Sequence, residues 1–459
     1  MNRLMLGWIL LMLIAVIAAI GCPSSNNSSG EPSQGDDDSG AGDDSGLDDD
    51  ASSKGSLTIY PIGQTVPAGA SEPFSTYWEP TSGSPVWNPS GVVWETEDHA
   101  VATVNSNGMV TGISPGLTKL RAVYNGILTK AKFRVGPDAF VVDTTWGVLA
   151  AVDRIAHYSA FDILGMGDSK NVLGSTLNWI AIADGYAYIV NSADSGVGIT
   201  GEESLVVVDL LNRIEIKNIP LPGADSPWAV TELNGRSYVT INLSDRLDII
   251  DNSTLLDISS VDLGQGCRPN GLVAAAGKIY VGCSGYTGAP NAYNPGKVVV
   301  YNPITGNLGE ILTSQVNPGN VVATADGKYV YVSCTGNWAD LTGMIDKIDT
   351  STDSVVNSFA LGIAPLGITI GPDGIAYVGE GMAGNIYVFN TANNDQILRG
   401  TDNPVVIGGV YWIQCIAANP EENTLWICDQ GNNYVIVIDP VSGSFYSVPV
   451  DGPVYIAFD

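Results

Sequence analysis

The feature that most constrains the fold is a strand–turn–strand unit that recurs along residues 177–429. Each copy has two short runs rich in apolar and β-branched residues, separated by a tight polar turn. The six copies are LNWIAIADGYAYIVN (177–191), SPWAVTELNGRSYVTIN (226–242), RPNGLVAAAGKIYVGCS (268–284), NPGNVVATADGKYVYVSC (317–334), APLGITIGPDGIAYVGE (364–380) and WIQCIAANPEENTLWICD (412–429). The pairs Asn234-Gly235, Asp326-Gly327 and Asp373-Gly374 favour the positive φ of hairpin turns. Such self-similarity predicts a repeated supersecondary unit.

A second hairpin follows each copy and is centred on an acidic or amide residue. These residues are Asp153, Asp209, Asp251, Asn302, Asp349, Asn390 and Asp439. We expect them to cap turns by accepting backbone N–H groups. Two hairpins make a four-stranded antiparallel sheet, and a repeat of about 40–55 residues is typical of one β-propeller blade.

The second strand of the repeat carries a short motif, seen as Tyr331-Val332-Ser333-Cys334 and as Tyr377-Val378-Gly379-Glu380. This motif resembles the core of the YVTN family of β-propeller repeats, and the likeness covers residues 137–459. It implies the fold and leaves the function open, because propellers include both binding proteins and enzymes.

The last residues, GPVYIAFD (452–459), read as a buried strand and not as a polar tail. Six complete blades begin near residues 177, 227, 269, 317, 364 and 411. The segment 139–164 supplies three strands of a seventh blade and lacks an innermost one. We therefore predict that residues 452–459 complete this blade and close a seven-bladed ring, which leaves no unpaired edge.

Residues 57–136 consist of short alternating runs without a helical period, and they predict a separate all-β unit. The pattern of Trp94, the run Ala102-Thr103-Val104, the segment 107–112 and Pro115-Gly116 resembles the bacterial immunoglobulin-like domain of group 2 (BIG2). The resemblance implies a β-sandwich that acts as a spacer or an adhesive module.

The N-terminus carries Arg3 and an apolar run over residues 4–20, which predict a secretory signal peptide. The ending Ala19-Ile20-Gly21-Cys22 resembles a bacterial lipobox, and the resemblance implies cleavage before Cys22 and lipidation of its thiol. Residues 1–21 would then be a lipoprotein signal peptide; the alternative is an uncleaved N-terminal membrane helix, for which the apolar run of residues 4–20 is barely long enough. The Asp-, Ser- and Gly-rich residues 22–56 cannot form a core and predict a disordered tether. We expect an exported protein anchored in a bacterial membrane, at the outer membrane or cell surface.

The chain has 48 acidic and 19 basic residues and a formal net charge of −29. Such a chain repels nucleic acid, and no basic cluster offsets this locally. We expect its partner to be a protein, a glycan or a small molecule, with membrane contact through the lipid anchor alone.

Aligning the innermost strands predicts one shared position on the rim of the central channel. That position holds Asn178, Trp228, Asn270, Asn320, Gly367, Cys415 and Tyr455. Trp179, Arg268 and Trp412 lie near it in the sequence. Because strand interiors disfavour Asn, these residues are candidates for a polar and aromatic ligand site; the alternative is that the Asn side chains only hydrogen-bond around a hydrated channel.

A metal-dependent hydrolase or lyase working in the channel is the competing hypothesis. Glu380 and Asp429 end second strands and are weak candidates for a calcium site. The propeller has one histidine, His157, on an outermost strand, which argues against a histidine base or a copper site. No catalytic residue is predicted, and no cofactor other than calcium is considered.

Five cysteines follow Cys22. Cys267 and Cys283 flank one hairpin, and Cys415 and Cys428 flank another, so either pair could form a disulfide in an exported protein. The alternative is buried free thiols. The favoured function remains non-catalytic binding at the propeller rim.

Overall fold

The chain folds entirely into β-structure over the part that the structure describes. The computed structural model describes residues 55–60, 65–66, 69–113, 116–135, 139–144, 147–152, 160–162, 173–174, 176–192, 203–210, 214–338, 341–381, 383–410, 412–420 and 423–458. The signal segment, Cys22, Asp153 and His157 lie outside these residues. None of the elements in the described ranges is a helix, and therefore none is an apolar helix able to cross a bilayer.

The N-terminal unit is a β-sandwich-like arrangement of ten short strands. They are β1 (Ser56–Tyr60), β2 (Thr65–Val66), β3 (Ser71–Pro73), β4 (Ser75–Glu79), β5 (Val86–Trp87), β6 (Val93–Thr96), β7 (Ala102–Val104), β8 (Met109–Gly112), β9 (Gly116–Tyr124) and β10 (Ile127–Val135). Their sheets have the orders β1-β4-β5, β2-β10-β9-β6 and β3-β8-β7. Phe74, Trp78, Leu120 and Phe133 are buried in a common core. The sequence patterns predicted β1 and β6 to β10 but missed β2, β3, β4 and β5.

The remaining strands form seven sheets, which we call blades 1 to 7 in chain order. From the innermost strand outward, blade 1 has β39 (Pro453–Phe458), β11 (Ala139–Asp143), β12 (Val148–Val152) and β13 (Ala160–Asp162). Blade 2 has β14 (Leu177–Ala183), β15 (Tyr186–Asn191), β16 (Ser204–Asp209) and β17 (Ile214–Pro220), and blade 3 has β18 (Pro227–Leu233), β19 (Arg236–Ile241), β20 (Arg246–Asp251) and β21 (Leu256–Asp262). Blade 4 has β22 (Pro269–Ala275), β23 (Lys278–Cys283), β24 (Lys297–Tyr301) and β25 (Leu308–Leu312), and blade 5 has β26 (Pro318–Ala323), β27 (Tyr329–Cys334), β28 (Met344–Asp349) and β29 (Ser354–Ala360). Blade 6 has β30 (Pro365–Ile370), β31 (Ile375–Glu380) and β32 (Asn385–Asn390), which pairs with both β33 (Gln396–Arg399) and β34 (Val405–Val406). Blade 7 has β35 (Ile416–Ala418), β36 (Leu425–Asp429), β37 (Tyr434–Ile438) and β38 (Phe445–Pro449).

The innermost strands of the seven blades contact one another in a closed cycle. The order is β39, β14, β18, β22, β26, β30 and β35, and β35 returns to β39. The fold is therefore a seven-bladed β-propeller, as the repeats predicted.

Strand β39 closes the ring by joining blade 1. It pairs antiparallel with β11, with Ile456 opposite Val141 and Phe458 opposite Ala139. Ile456 is buried in the core that blades 7 and 1 share. The predicted role of residues 452–459 is confirmed.

The repeated tyrosine of the second strand packs between adjacent blades. Tyr238, Tyr280 and Tyr331 are almost fully buried. The Tyr280 hydroxyl donates to Asp353 of blade 5 at 2.5 Å, and the Tyr331 hydroxyl donates to Asp395 of blade 6. The motif tyrosine thus supplies one hydrogen bond between blades 4 and 5 and one between blades 5 and 6.

The residue two places after that tyrosine acts at the same boundary. Thr240 donates its hydroxyl to the Asn270 carbonyl of blade 4 at 2.9 Å, and Ser333 donates to the Leu366 carbonyl of blade 6 at 2.8 Å. Where this residue is Gly282, an added Cβ would come within 2.9 Å of the Gly319 carbonyl oxygen. At this position of the motif, Thr or Ser donates a hydrogen bond to the backbone of the next blade, whereas Gly lets the two backbones approach closely.

The turn predictions are confirmed in part. Asn234 and Gly235 both have positive φ, at 54° and 74°. In the other two predicted turns only the glycines, Gly327 and Gly374, have positive φ. The prediction was wrong for Asp326 and Asp373, because these turns are longer and Asp326 instead accepts the Lys328 N–H at 3.1 Å.

The capping prediction holds at the outer hairpins that can be checked. The side chains of Asp251, Asn302, Asp349, Asn390 and Asp439 each accept a backbone N–H two residues ahead, at 2.8–3.0 Å. These bonds are those of Asx turns.

Candidate functional site

The innermost strands carry β-bulges, and the predicted rim residues occupy two different places relative to them. In blade 4, Pro269 pairs with Cys283 and Leu272 with Val281, so three steps on one strand oppose two on the other. The first place after the pair holds Asn178, Trp228 and Asn270, and the second place holds Asn320, Gly367 and Tyr455. The predicted single position was therefore wrong, because the turns of blades 5 and 6 are longer than the two-residue turns of blades 2 to 4, and a count back from the turn is shifted by one residue there.

Two of the three predicted asparagines bond to the neighbouring blade. The Asn178 amide donates to the Pro227 carbonyl at 3.2 Å, and the Asn320 amide donates to the Leu366 carbonyl at 3.1 Å. Asn270 is half-buried, and its side chain makes no hydrogen bond to the described residues. The first two asparagines thus join adjacent blades.

Two predicted aromatic residues pack against each other at the ring closure. The Trp179 and Tyr455 rings are stacked, with centroids 3.8 Å apart and planes 26° apart. Trp179 is buried, and burial raises the pKa of the Tyr455 hydroxyl well above its usual range. Trp228 packs against the same core cluster. These rings contribute mainly to the core around the channel.

Arg268 belongs to a loop between blades 3 and 4 that is held by hydrogen bonds. Its guanidinium donates to the Leu243 carbonyl at 3.0 Å, and its backbone N–H donates to Asp245 at 2.7 Å. Arg268 also has a positive φ of 51°. The residue stabilises the loop that leads into β22.

Trp412 lies in an aromatic cluster that crosses three blades. Its ring stacks on Trp338, with centroids 5.1 Å apart and planes only 13° apart. The Trp338 indole N–H donates to the Tyr293 hydroxyl at 3.2 Å, and the Tyr293 ring lies 5.7 Å from that of Tyr286. We call Tyr286, Tyr293, Trp338 and Trp412 the aromatic arc; all four are half-buried.

The arc is built by loops that follow second strands or precede innermost ones. Tyr286 and Tyr293 come from the loop after β23, Trp338 from the loop after β27, and Trp412 from the segment before β35. The Trp338 ring also lies against Gly381, where an added Cβ would come within 2.6 Å of a ring carbon. Gly381 therefore lets this ring reach the rim.

Sequence reasoning identified Trp412, but it did not single out Tyr286, Tyr293 or Trp338. The signal available was the occurrence of aromatic residues in loops that the repeat places on one rim. What could not be read was the stacking of Trp338 on Trp412, because these residues are far apart in the sequence.

The two weak metal candidates already have hydrogen-bond partners. Glu380 accepts the Asn385 amide at 2.9 Å and the Tyr387 hydroxyl at 3.1 Å, and Asp429 accepts the Asn432 amide at 2.8 Å. Burial, followed by the charge of Glu380, raises the pKa of Tyr387 to about 12. No group of three or more potential metal ligands occurs among the side chains that the structure describes.

One of the two cysteine pairs is bonded. Cys267 and Cys283 form a disulfide with their Cα atoms 4.7 Å apart. Cys415 and Cys428 are buried free thiols on facing strands, and the Cys428 N–H donates to the Cys415 carbonyl at 3.3 Å. Burial, with the neighbouring Cys415, raises the pKa of the Cys428 thiol well above its usual range. Cys334 is also a buried thiol.

Comparison with known proteins supports the division into two kinds of unit. Residues 53–132 match the family model of the bacterial Ig-like domain (group 2). A search of curated protein sequences found no match.

Several solved structures are similar in fold to the larger part of the chain. A protein from Lactobacillus plantarum is 15% identical, covers 71% of this chain and 99% of its own, and has a TM-score of 0.53. The periplasmic gluconolactonase PpgL of Pseudomonas aeruginosa is 14% identical over 70% of this chain and 98% of its own, with a TM-score of 0.52. A putative 6-phosphogluconolactonase from Bacteroides fragilis is 10% identical over 71% and 98%, also with a TM-score of 0.52. Identities this low show a shared propeller fold, and function has to be argued from the site.

Proposed function

We propose that the protein is an exported, lipid-anchored binding protein of the YVTN-propeller type that binds its ligand at the rim of the propeller. The observation that carries the proposal is the aromatic arc, in which Trp338 and Trp412 stack without being buried. Half-exposed aromatic rings with fixed orientation supply contact area at little cost in conformational entropy.

The anchoring part of the proposal comes from the N-terminal sequence. A signal peptide over residues 1–21, lipidation of Cys22 and a tether over residues 22–56 would hold an Ig-like spacer (57–136) and the propeller (137–459) outside the membrane. A group 2 Ig-like domain is in keeping with export. The Cys267–Cys283 disulfide is also in keeping with an oxidising compartment.

A test of anchoring uses the Cys22→Ser variant. We expect the wild-type chain in the membrane fraction and the variant in the soluble exported fraction, because the variant lacks the thiol that carries the lipid. Wild-type protein found in the soluble fraction would refute the anchor.

A test of binding uses the Trp338→Ala variant, with Phe445→Ala as a matched control. Phe445 is 49% exposed on the outermost strand of blade 7, so its loss removes an exposed ring away from the arc. Calorimetric titration with a neutral oligosaccharide, choline and glucuronate should show at least one saturable interaction that Trp338→Ala weakens and Phe445→Ala leaves unchanged. If none of the three probes shows such an interaction, the rim is not the binding site.

A calcium-dependent hydrolase or lyase acting in the channel is the second candidate. Its support is the fold shared with the P. aeruginosa gluconolactonase. Hydrolysis of gluconolactone, measured with calcium and with a chelator, tests it directly: we expect no turnover above the spontaneous rate, and chelator-sensitive turnover would favour the enzyme.

A further inference from the structure

Cys415 and Cys428 face each other across the first hairpin of blade 7. Ile416 at the start of β35 pairs with Ile427 of β36, so the next two residues in this antiparallel register are the two cysteines. The Cys428 N–H donates to the Cys415 carbonyl at 3.3 Å. Opposite residues of antiparallel strands have Cα atoms about 4.5–5.5 Å apart, and a disulfide spans Cα separations of roughly 4.4–6.8 Å. The backbone is therefore already in position for a bond between the two sulfurs.

The two side chains also lie on the same side of the sheet. Residues directly opposite each other in an antiparallel pair project to one face, and both cysteines belong to the apolar core that blades 7 and 1 share. The Cys415 thiol is within hydrogen-bonding reach of the Cys428 thiol. The sulfur atoms can thus be joined without displacing either strand.

Blade 4 shows the same kind of pair in its bonded form. Cys267 lies two residues before β22, Cys283 ends β23, and the two form a disulfide. In blade 7, Cys415 lies one residue before β35, and Cys428 is the last residue but one of β36. In both blades, a cysteine at the entrance to the innermost strand faces a cysteine near the end of the second strand.

We propose that Cys415 and Cys428 form a second disulfide while the chain folds in an oxidising compartment, an inference that rests on the proposed export of the protein. The oxidant is the disulfide of a thiol–disulfide oxidoreductase. The thiolate of one cysteine attacks a sulfur of that disulfide, forms a mixed disulfide and releases the other sulfur; the second cysteine then attacks the mixed disulfide. The chain gives up two thiol protons and two electrons, and the oxidant becomes a dithiol.

Burial determines when this reaction takes place. Cys415 and Cys428 are only 2% and 6% exposed in the folded protein, so an oxidant cannot reach their sulfurs there. Burial also raises the pKa of the Cys428 thiol well above its usual range, which disfavours the thiolate that reacts. The bond is therefore formed before blade 7 closes around the pair.

The bond restrains the segment that carries Trp412. Strand β35 has three residues, whereas the other innermost strands have six or seven. Trp412 lies three residues before Cys415 and has a φ of 69°, which is uncommon for a residue with a side chain. Because so short a strand supplies few backbone hydrogen bonds, a covalent bond at Cys415 helps to keep Trp412 in the aromatic arc.

The test assigns the state of each cysteine in the full-length protein isolated from cells. The protein is denatured in the presence of an alkylating reagent, and peptide mass analysis shows which cysteines are alkylated and which are bonded. We expect a peptide pair joined through Cys415 and Cys428, with Cys334 alkylated. In Cys415→Ser, alkylation of Cys428 should rise from none to complete. Cys334→Ser removes the remaining buried thiol as a matched control and should leave the Cys415–Cys428 bond in place.

The Cys267–Cys283 bond separates this inference from the export on which it rests. If that bond is present while Cys415 and Cys428 are alkylated, the compartment is oxidising and the inference is overturned. If all four cysteines are alkylated, both the inference and the proposed export fail.

Discussion

Lys347 and Asp395 form a buried ion pair at the boundary of blades 5 and 6. Their side chains are only 10% and 3% exposed, and the Lys347 ammonium lies 3.0 Å from Asp395. Asp395 also accepts the Tyr331 hydroxyl and the Asn357 amide, and Lys347 lies 4.3 Å from the centroid of the Tyr329 ring. A charge buried this deeply is tolerable only with such partners.

We predict that Asp395→Ala lowers the free energy of unfolding by about 3–5 kcal/mol, because it leaves the Lys347 ammonium buried and unpaired. Denaturant titration monitored by fluorescence measures the loss. The exposed pair of Arg121 and Glu95 provides the control, since its side chains are 35% and 54% exposed, and Glu95→Ala should cost less than about 1 kcal/mol. Equal losses in the two variants would contradict the prediction.

The candidate site was only partly predictable at the residue scale. Residue type and repeat position were enough to select Asn178, Asn270 and Asn320, yet the length of the hairpin turn that follows decides which place along the strand each occupies. Trp338 was missed because its significance depends on Trp412, a residue from another blade. Contacts between distant loops leave no periodic signal in a single sequence.

The innermost strand β39 is the element on which closure depends. It pairs with β11, and it also contacts β14 and β35 on either side. Without it, blade 1 would have an open inner edge and blades 7 and 2 would lose a shared neighbour.

Deleting residues 452–459 should abolish cooperative unfolding of the propeller, because the ring would lose the innermost strand of one blade. Differential scanning calorimetry of the full and shortened chains measures this. A chain without residues 23–54 is the matched control, since it removes sequence that precedes β1 and leaves every described strand in place. A shortened chain that melts cooperatively at the wild-type midpoint would refute the role of β39.

A milder change to the same strand gives a graded result. Ile456→Ala should lower the free energy of unfolding by about 2–5 kcal/mol, since Ile456 is 3% exposed and its truncation leaves a cavity. Val454→Ala, on the same strand but half-buried, should cost less. Denaturant titration measures the loss in both variants. A larger loss in Val454→Ala than in Ile456→Ala would contradict this packing argument.

Elements were predicted best where the pattern repeats. The hairpins of blades 2 to 6 combine alternating apolar residues with turn-forming residues, and both signals are visible in the sequence. Strands β4 and β5 were missed because SEPFSTYWE (71–79) and Val86-Trp87 lie between polar and proline-rich segments and have no repeat to support them. Their formation depends on packing of Phe74 and Trp78 in the sandwich core.

Across the whole propeller, the repeated tyrosines share one electrostatic property. Burial raises the pKa of Tyr188 and of Tyr377 to about 12, from a usual value of 10.0. The pKa values of Tyr280 and Tyr331 are raised further, by burial and then by hydrogen bonds to Asp353 and Asp395. Each of these side chains therefore holds its proton more tightly in the folded state than in the unfolded chain.

This property predicts a loss of stability at alkaline pH. A raised folded-state pKa gives stability that is complete below the unfolded value, 10.0, and is lost as pH rises towards about 12. The free energy of unfolding should thus be steady from neutral pH to about pH 9 as far as these tyrosines are concerned, and then fall. Guanidinium titrations at several pH values, with tyrosinate absorbance recorded in parallel, measure it. Full titration of the tyrosines near pH 10 with the fold intact would contradict the prediction.

The strand that completes blade 1 is synthesised after the described strands of the other six blades. A ribosome makes β11, β12 and β13 first and supplies their partner β39 only after the six other blades. Through most of synthesis the three early strands have an unpaired edge, which is a template for wrong pairing with other chains. The order of the strands therefore favours folding of blade 1 only after β39 has been made.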